Sequence, residues 1–238
     1  MVQNFYYNLL AWSADNVVAV GLKNVVYLYR PSGKVWMLRT FEPYVQVTNV
    51  TWLNAQVLAV ATNSCGEIHL IPVEASVLPL TACLPVHQDY VQIIASVSNN
   101  PSLFISGSQD TTIKYCDTRL PTPNIWTSNC HEDHVCGLAL SNDGGCLASG
   151  GNDNKVFVMD LRKRQPVLLF EHKSGVKALA WSPTQSNVLA TGGGRTDTTL
   201  RIWDMNTSKE ISSSRTGAQV WLFCWLVWLF GVLIFECV

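Results

Sequence analysis

The stretch LASGGNDNKVFVMD, Leu147 to Asp160, is answered about forty residues later by LATGGGRTDTTLRIWD, Leu189 to Asp204. No other feature constrains the fold as much. A unit of that length cannot close a core alone and must stack on copies of itself. Gly-Gly before one Asp, and an apolar-Asp pair after it, is the mark of a propeller blade. A chain built this way is expected to bind partners, not to carry out chemistry.

Five such units can be laid out, roughly residues 3–41, 45–86, 87–130, 131–172 and 173–214. Each holds short runs rich in Val, Ile, Leu and aromatics, broken by Gly, Asn, Asp, Ser and Pro. Examples are VVAVGL and VVYLY in the first, VLAVAT and EIHLI in the second, and VKALAW, VLATGG and TLRIW in the fifth. No helix-period segment of useful length precedes residue 220.

Polar landmarks recur in register. His87 precedes Asp110 by 23 residues, His131 precedes Asp153 by 22 and His172 precedes Asp197 by 25. Six residues further on stand Cys116, Met159 and Trp203, followed by Asp117, Asp160 and Asp204. In propellers of the WD-repeat type such a His and Asp form a hydrogen-bonded strut within a blade. A buried imidazole needs a partner of this kind. Trp203 alone keeps the aromatic at its landmark, so the other blades are degenerate. Gly107, Gly150, Gly151, Gly192, Gly193 and Gly194 are expected at tight turns, for positive φ and close backbone approach.

The chain has 238 residues, 48% of them hydrophobic and 14% charged, with a formal net charge of -1. It can bury a core and is too apolar for disorder. The near-neutral balance argues against nucleic acid or an anionic membrane as partner. Cys65, Cys83, Cys116, Cys130, Cys136, Cys146, Cys224 and Cys237 are scattered without a CxxC pair, and Met1 leads straight into QNFYYNLLAWS with no signal peptide. Reduced thiols, and a location in cytoplasm and nucleus, are expected.

The run CHEDHVC, Cys130 to Cys136, sets soft and imidazole ligands close together. His131 is claimed by the strut, however, and a strand sends neighbouring side chains to opposite faces. No metal site is expected there. No hydrolase elbow, phosphate loop, kinase set, zincin motif or dinucleotide fingerprint occurs. The chain is expected to be no enzyme and to need no cofactor.

A wider set of residues carries a family resemblance. It comprises FYYNLLAWS (Phe5 to Ser13), NVVAVGLKNVVYLY (Asn16 to Tyr29), VTNVTW (Val47 to Trp52), VCGL (Val135 to Leu138) and LASGGNDNK (Leu147 to Lys155). HKSGVKALAWSP (His172 to Pro183), QSNVLATGGG (Gln185 to Gly194) and LRIWD (Leu200 to Asp204) complete it. Over residues 3–220 the chain resembles the Fizzy and Fizzy-related proteins, WD-repeat activators of the anaphase-promoting complex. FYxNLLxWS and SGGNDN are specific to that family. Blades two and three match poorly, which marks a divergent member, with the Cortex-type branch as one placement.

The resemblance implies an all-β WD-repeat β-propeller, with about five of the family's seven blades present as an open or incomplete ring over residues 1–219. It implies a substrate-recognition subunit in mitotic or meiotic control. Such a subunit works with subunits of the anaphase-promoting complex and with substrate proteins bearing KEN-type or destruction-box signals. Asn152, Asn154 and Gln219 stand at positions that bind the KEN-type signal. An amide offers both donor and acceptor to a peptide. The alternative is that Asn152 and Asn154 only shape the turn around Asp153. Two departures stand out. Arg195 replaces the family's Thr after the triple glycine, and Ala11 replaces an acid linked to destruction-box binding, so that recognition is expected to be impaired. A generic WD-repeat scaffold is the alternative function.

The family's docking motifs and its last blades have no counterpart in this sequence, and unpaired blade faces are expected to make the chain partner-dependent or poorly soluble. Residues 220–238 form an apolar tail, VWLFCWLVWLFGVLIFECV. Its first sixteen residues are uncharged, just under a bilayer span. Three readings stay open: an altered transcript end, a tail anchor, or replacement strands. No membrane partner is expected unless the tail is an anchor.

Overall fold

The computed structural model describes residues 7–73, 82–97, 100–225 and 232–236, with side chains as far as Val220. No helix occurs among the described residues. The chain divides into two compact units, Met1–Ser128 and Asn129–Val238.

The first unit holds three four-stranded antiparallel sheets, each in simple up-down order. They are β1 (Leu10–Trp12), β2 (Val18–Leu22), β3 (Val25–Tyr29) and β4 (Val35–Thr40); β5 (Val47–Trp52), β6 (Val57–Thr62), β7 (Glu67–Pro72) and β8 (Ala82–Pro85); β9 (Val91–Ser96), β10 (Leu103–Ser108), β11 (Ile113–Asp117) and β12 (Asn124–Ser128). The second unit holds two more. They are β13 (Val135–Leu140), β14 (Cys146–Gly151), β15 (Lys155–Asp160) and β16 (Gln165–Glu171); β17 (Val176–Trp181), β18 (Val188–Gly193), β19 (Thr199–Asp204) and β20 (Lys209–Arg215). A final antiparallel pair, β21 (Val220–Trp225) and β22 (Val232–Glu236), lies within the apolar tail. Residues 226–231 and 237–238 of the tail lie outside the described residues.

In the fourth and fifth sheets burial is deepest in the second strand and least in the outermost. β18 is buried at every residue, and β6 and β14 at all but the first. Such strands are covered on both faces, so they read as continuous small or apolar runs without alternation. The outermost β20, KEISSSR, is exposed throughout.

Apolar clusters glue neighbouring sheets. Val26, Leu28, Val50 and Leu58 meet between the first and second sheets. Ala59, Ile68, Ile94 and Phe104 meet between the second and third. In the second unit Val156, Val158, Trp181 and Leu189 meet between its two sheets. A tryptophan closing the first strand of a sheet ties two of these junctions, the first to second and the fourth to fifth. Trp52 Nε1 donates to the Ala11 carbonyl at 3.1 Å, and Trp181 Nε1 donates to the Ala139 carbonyl at 2.9 Å.

The glycine expectation needs correction. Gly107, Gly150, Gly151, Gly192 and Gly193 lie inside β10, β14 and β18, and among the described residues the left-handed glycines are Gly33, Gly66, Gly144 and Gly217 instead. Close approach explains the strand glycines. A Cβ on Gly192 would stand 2.5 Å from Val220 Cγ1, and one on Gly21 would stand 2.7 Å from Val47 Cγ1. A Cβ on Gly150 would collide with the Val176 carbonyl. In each case the first residue of the following inner strand sits on a glycine. Val220 thus takes the place that Val47 and Val176 take earlier, and it is fully buried with Ala178 and Ala190.

Candidate functional site

Three sheets carry a buried His–Asp pair. His87 Nδ1 lies 3.0 Å from Asp110 Oδ2, His131 Nδ1 3.0 Å from Asp153 Oδ2, and His172 Nδ1 2.6 Å from Asp197 Oδ2. The other ring nitrogen meets a buried hydroxyl: Ser106 at 2.8 Å, Ser149 at 2.9 Å and Thr191 at 2.7 Å. The fifth sheet adds Trp203, whose Nε1 donates to Thr191 Oγ1 at 2.8 Å. A single proton assignment satisfies that network. Trp203 donates to Thr191, Thr191 donates to His172 Nε2, and His172 Nδ1–H donates to Asp197.

The electrostatics agree with a neutral His172 and an ionised Asp197. Burial pushes His172 below the usual imidazole range, against the pull of Asp197. Burial alone would raise the Asp110 carboxyl. Hydrogen bonds from His87, Thr112 and the Gln88 NH outweigh it and hold the group well below the usual range. Asp153 and Asp197 are lowered by the same balance. Both ring nitrogens of each His are engaged, so none is poised as a base toward solvent.

The hydroxyls too recur at a nearly fixed spacing in the sequence. They follow their His by 19, 18 and 19 residues. The aspartates that end the third strands also have a role. Asp160 accepts from the Arg162 and Lys163 NH groups, and Asp204 from the Asn206 NH, each shaping the next turn. Asp117 is held down at about 2 by Arg119.

Strand direction places the remaining candidates at one end of the second unit. In an up-down sheet the first strand begins where the second ends and where the third begins. Asn152 follows β14, Asn154 precedes β15, Ser174 and Gly175 precede β17, Gly194 follows β18, and Gln219 precedes β21. Asn152 is exposed, Nδ2 donates to Asp133 at 3.1 Å, and Oδ1 abuts Gly175. Gln219 is half-buried and Arg195 is exposed. Gly194 packs so tightly that a Cβ would stand 2.7 Å from the Gly175 carbonyl and from Ser174 Oγ. That Ser174 hydroxyl is buried and has no hydrogen-bond partner among the described residues.

Asn154 is left-handed, φ 67°. The equivalent positions after Asp110 and Asp197 are Thr111, φ 68°, and Thr198, φ 50°. The turn therefore accepts even a β-branched residue, and its backbone does not by itself demand an amide. Asp153, in contrast, is consumed within the fold. It accepts from His131 and from the Glu132 and Lys155 NH groups.

Other candidates disperse. Ala11 pairs with Ala19 and its side chain packs on the first apolar cluster. In CHEDHVC, His131 is engaged by Asp153 and Ser149, while burial pushes the Cys136 thiol to about 12. The His/Cys/carboxylate grouping close enough to share one ion lies elsewhere among the described residues, at Glu67, His69 and Cys83.

Repeated four-stranded sheets with internal His–Asp–hydroxyl networks define a WD-repeat β-propeller protein. Residues 79–117, 123–160 and 164–204 match the WD domain, G-beta repeat family. The chain is 41% identical over 228 residues to Protein FIZZY-RELATED 2 of Arabidopsis thaliana, covering 94% of this chain and 45% of that protein. It is 36% identical over 230 residues to the APC/C activator protein CDH1 of Saccharomyces cerevisiae, covering 96% and 39%. Identity to the meiotic fizzy-related protein 1 of Schizosaccharomyces pombe is 38% over 225 residues, covering 93% and 52%. A chain in the crystal structure of a mitotic checkpoint complex superposes with a TM-score of 0.90 at 34% identity, covering 98% of this chain and 70% of that one. The chain belongs to the Fizzy and Fizzy-related family of WD-repeat proteins. It spans about half the length of the curated relatives it matches.

Proposed function

We propose that this chain recognises degradation-signal peptides and serves the anaphase-promoting complex as a substrate-binding activator subunit in mitotic or meiotic control. It acts by holding a peptide, not by catalysis. The observation that carries this reading is the division of labour in the Asn152–Asp153–Asn154 turn. The strut takes the central carboxylate inward, and the two flanking amides stay at the end of the unit. Amides there can pair with a peptide's polar side chains and backbone. Family membership supports the choice of ligand, since one relative is named an APC/C activator.

Binding a KEN-bearing peptide to the purified chain tests this. Wild type should retain it, and Asn154→Ala should lose it while keeping its fold. Equal retention by both proteins removes the site. Failure of either to bind favours a WD-repeat scaffold unconnected to that ligase. A destruction-box peptide should bind weakly, because position 11 offers a methyl group against an apolar cluster and no acid.

A further inference from the structure

The outer half of the second sheet holds a grouping that peptide recognition leaves unused. Glu67 and His69 are two apart on β7, so their side chains leave the same face. Cys83 sits on β8 directly opposite His69 in the ladder. One ligand atom from each of the three lies within 4.8 Å of the other two. The His69 Nε2 to Glu67 Oε2 distance is 4.0 Å, and these side chains are 14% and 37% exposed. Cys83 is exposed. The set is thus anchored at its imidazole, and Cys83 is its most exposed residue although its thiol is partly covered beside Glu67. The Phe41 ring lies against His69, with centroids 4.9 Å apart and planes tilted by 56°, which restrains the imidazole.

We propose that Glu67, His69 and Cys83 form a zinc site, with water in the fourth position. Thiolate sulfur with imidazole nitrogen selects a borderline-soft ion over magnesium or calcium. Bonds of roughly 2.0–2.3 Å around a tetrahedral ion require ligand atoms about 3.3–3.8 Å apart. The grouping must therefore contract by about 1 Å. His69 and Cys83 are held in register by their strands. Glu67 already lies 4.0 Å from His69 and is hydrogen-bonded to Cys83, so rotation of the exposed Cys83 side chain and of Glu67 makes the adjustment. Binding forms Zn–S, Zn–N and Zn–O bonds and releases the Cys83 thiol proton to solvent.

Without a cation the arrangement is unfavourable for a thiolate. Burial first, then the hydrogen bond and charge of Glu67, push the Cys83 thiol to about 11. An ion between them converts that repulsion into shared ligation. Arg39 is the opposing charge: it helps lower His69, after burial, and lies over Phe41 at 6.0 Å. A bound ion would staple the four-residue edge strand β8 to β7.

The test uses the full chain, stripped of metal and kept reduced. Zinc titrated against a chromophoric chelator should show one tight equivalent, weakened at least about tenfold by Cys83→Ser and by Glu67→Gln. Cobalt should give a thiolate charge-transfer band that Cys83→Ser abolishes. Zinc should shield Cys83, but not the exposed Cys65, from iodoacetamide in peptide mass spectra. That shielding and the wild-type cobalt band decide the matter if a variant fails to fold. Absence of a tight equivalent overturns the proposal. So does zinc binding that survives Cys83→Ser and disappears in Cys130→Ser or His134→Ala.

Discussion

Thr191 is the residue on which the fifth blade's polar network turns. It is fully buried, and its hydroxyl both accepts from Trp203 Nε1 at 2.8 Å and donates to His172 Nε2 at 2.7 Å. Thr191→Val keeps the shape and removes the hydroxyl. Two buried polar atoms then lose their partner together. Each such loss costs about 1–3 kcal/mol, so the change should cost roughly 2–6 kcal/mol, a large share of a typical domain's stability. Ser149 is the matched control. Its hydroxyl serves His131 alone, because Met159 stands where Trp203 stands, so Ser149→Ala should cost only about 1–3 kcal/mol. Urea melts followed by far-ultraviolet circular dichroism compare the two, read as midpoint shifts at unchanged slope. A double mutant sharpens the point. Trp203→Phe should be costly in the wild type but nearly free in the Thr191→Val background, since the indole NH is already orphaned there. The ring stack on Phe170, 4.1 Å between centroids, can persist with Phe. Equal costs for Thr191→Val and Ser149→Ala, or additive behaviour of the double mutant, would refute the reasoning.

Acid should weaken the blades in one direction. His172 is depressed in the folded chain, so below about 6.5 the unfolded state binds more protons, and stability is lost as pH falls from there. Asp110, Asp153 and Asp197 are depressed too and extend the loss below about pH 4. Melting temperatures that stay level or rise from pH 7 to pH 5 would contradict the neutral-His assignment. Gly192→Ala should cost about 1–3 kcal/mol through overpacking against Val220, and adding Val220→Ala should recover part of it. A Gly192→Ala protein as stable as wild type would show that Val220 does not occupy its assigned place.

Much of the architecture was written in the sequence because propeller periodicity is local. The spacing from His87 to Asp110 or from His172 to Asp197 fixes which side chains can meet within one sheet. Contacts between sheets were harder to read. Gly21, Gly150 and Gly192 look like turn glycines until the next inner strand is placed on them. The Trp52 and Trp181 links reach back 41 and 42 residues, and nothing local announces them. Ser174 gave no signal at all, since a serine beside a glycine is ordinary turn chemistry until its hydroxyl proves buried and unpaired. Glu67, His69 and Cys83 were hidden for another reason. Their ligand pattern depends on the pairing of β7 with β8, while in CHEDHVC only Val135 and Cys136 lie on a strand and it is the strut that draws His131 away from the rest.

If the proposed peptide rim at Asn152 and Asn154 depends on the strut for its shape, separating the two tests it. Asp153 holds the turn from inside through the Glu132 NH at 3.0 Å and the Lys155 NH at 3.1 Å. A rim fixed before the peptide arrives spends less binding energy on ordering itself. Asp153→Asn keeps the size but turns an amide NH2 toward one of its present donors, His131 or a backbone NH, leaving that donor unpaired. It should lose peptide affinity without removing any group the peptide touches. Amide hydrogen exchange of residues 152–155 should quicken in parallel. Asn154→Ala should lose affinity with exchange little changed, because the turn tolerates other residues at that left-handed position, as Thr111 and Thr198 show. If Asp153→Asn quickens exchange but leaves affinity intact, the peptide does not depend on a preformed turn, and the strut serves stability alone.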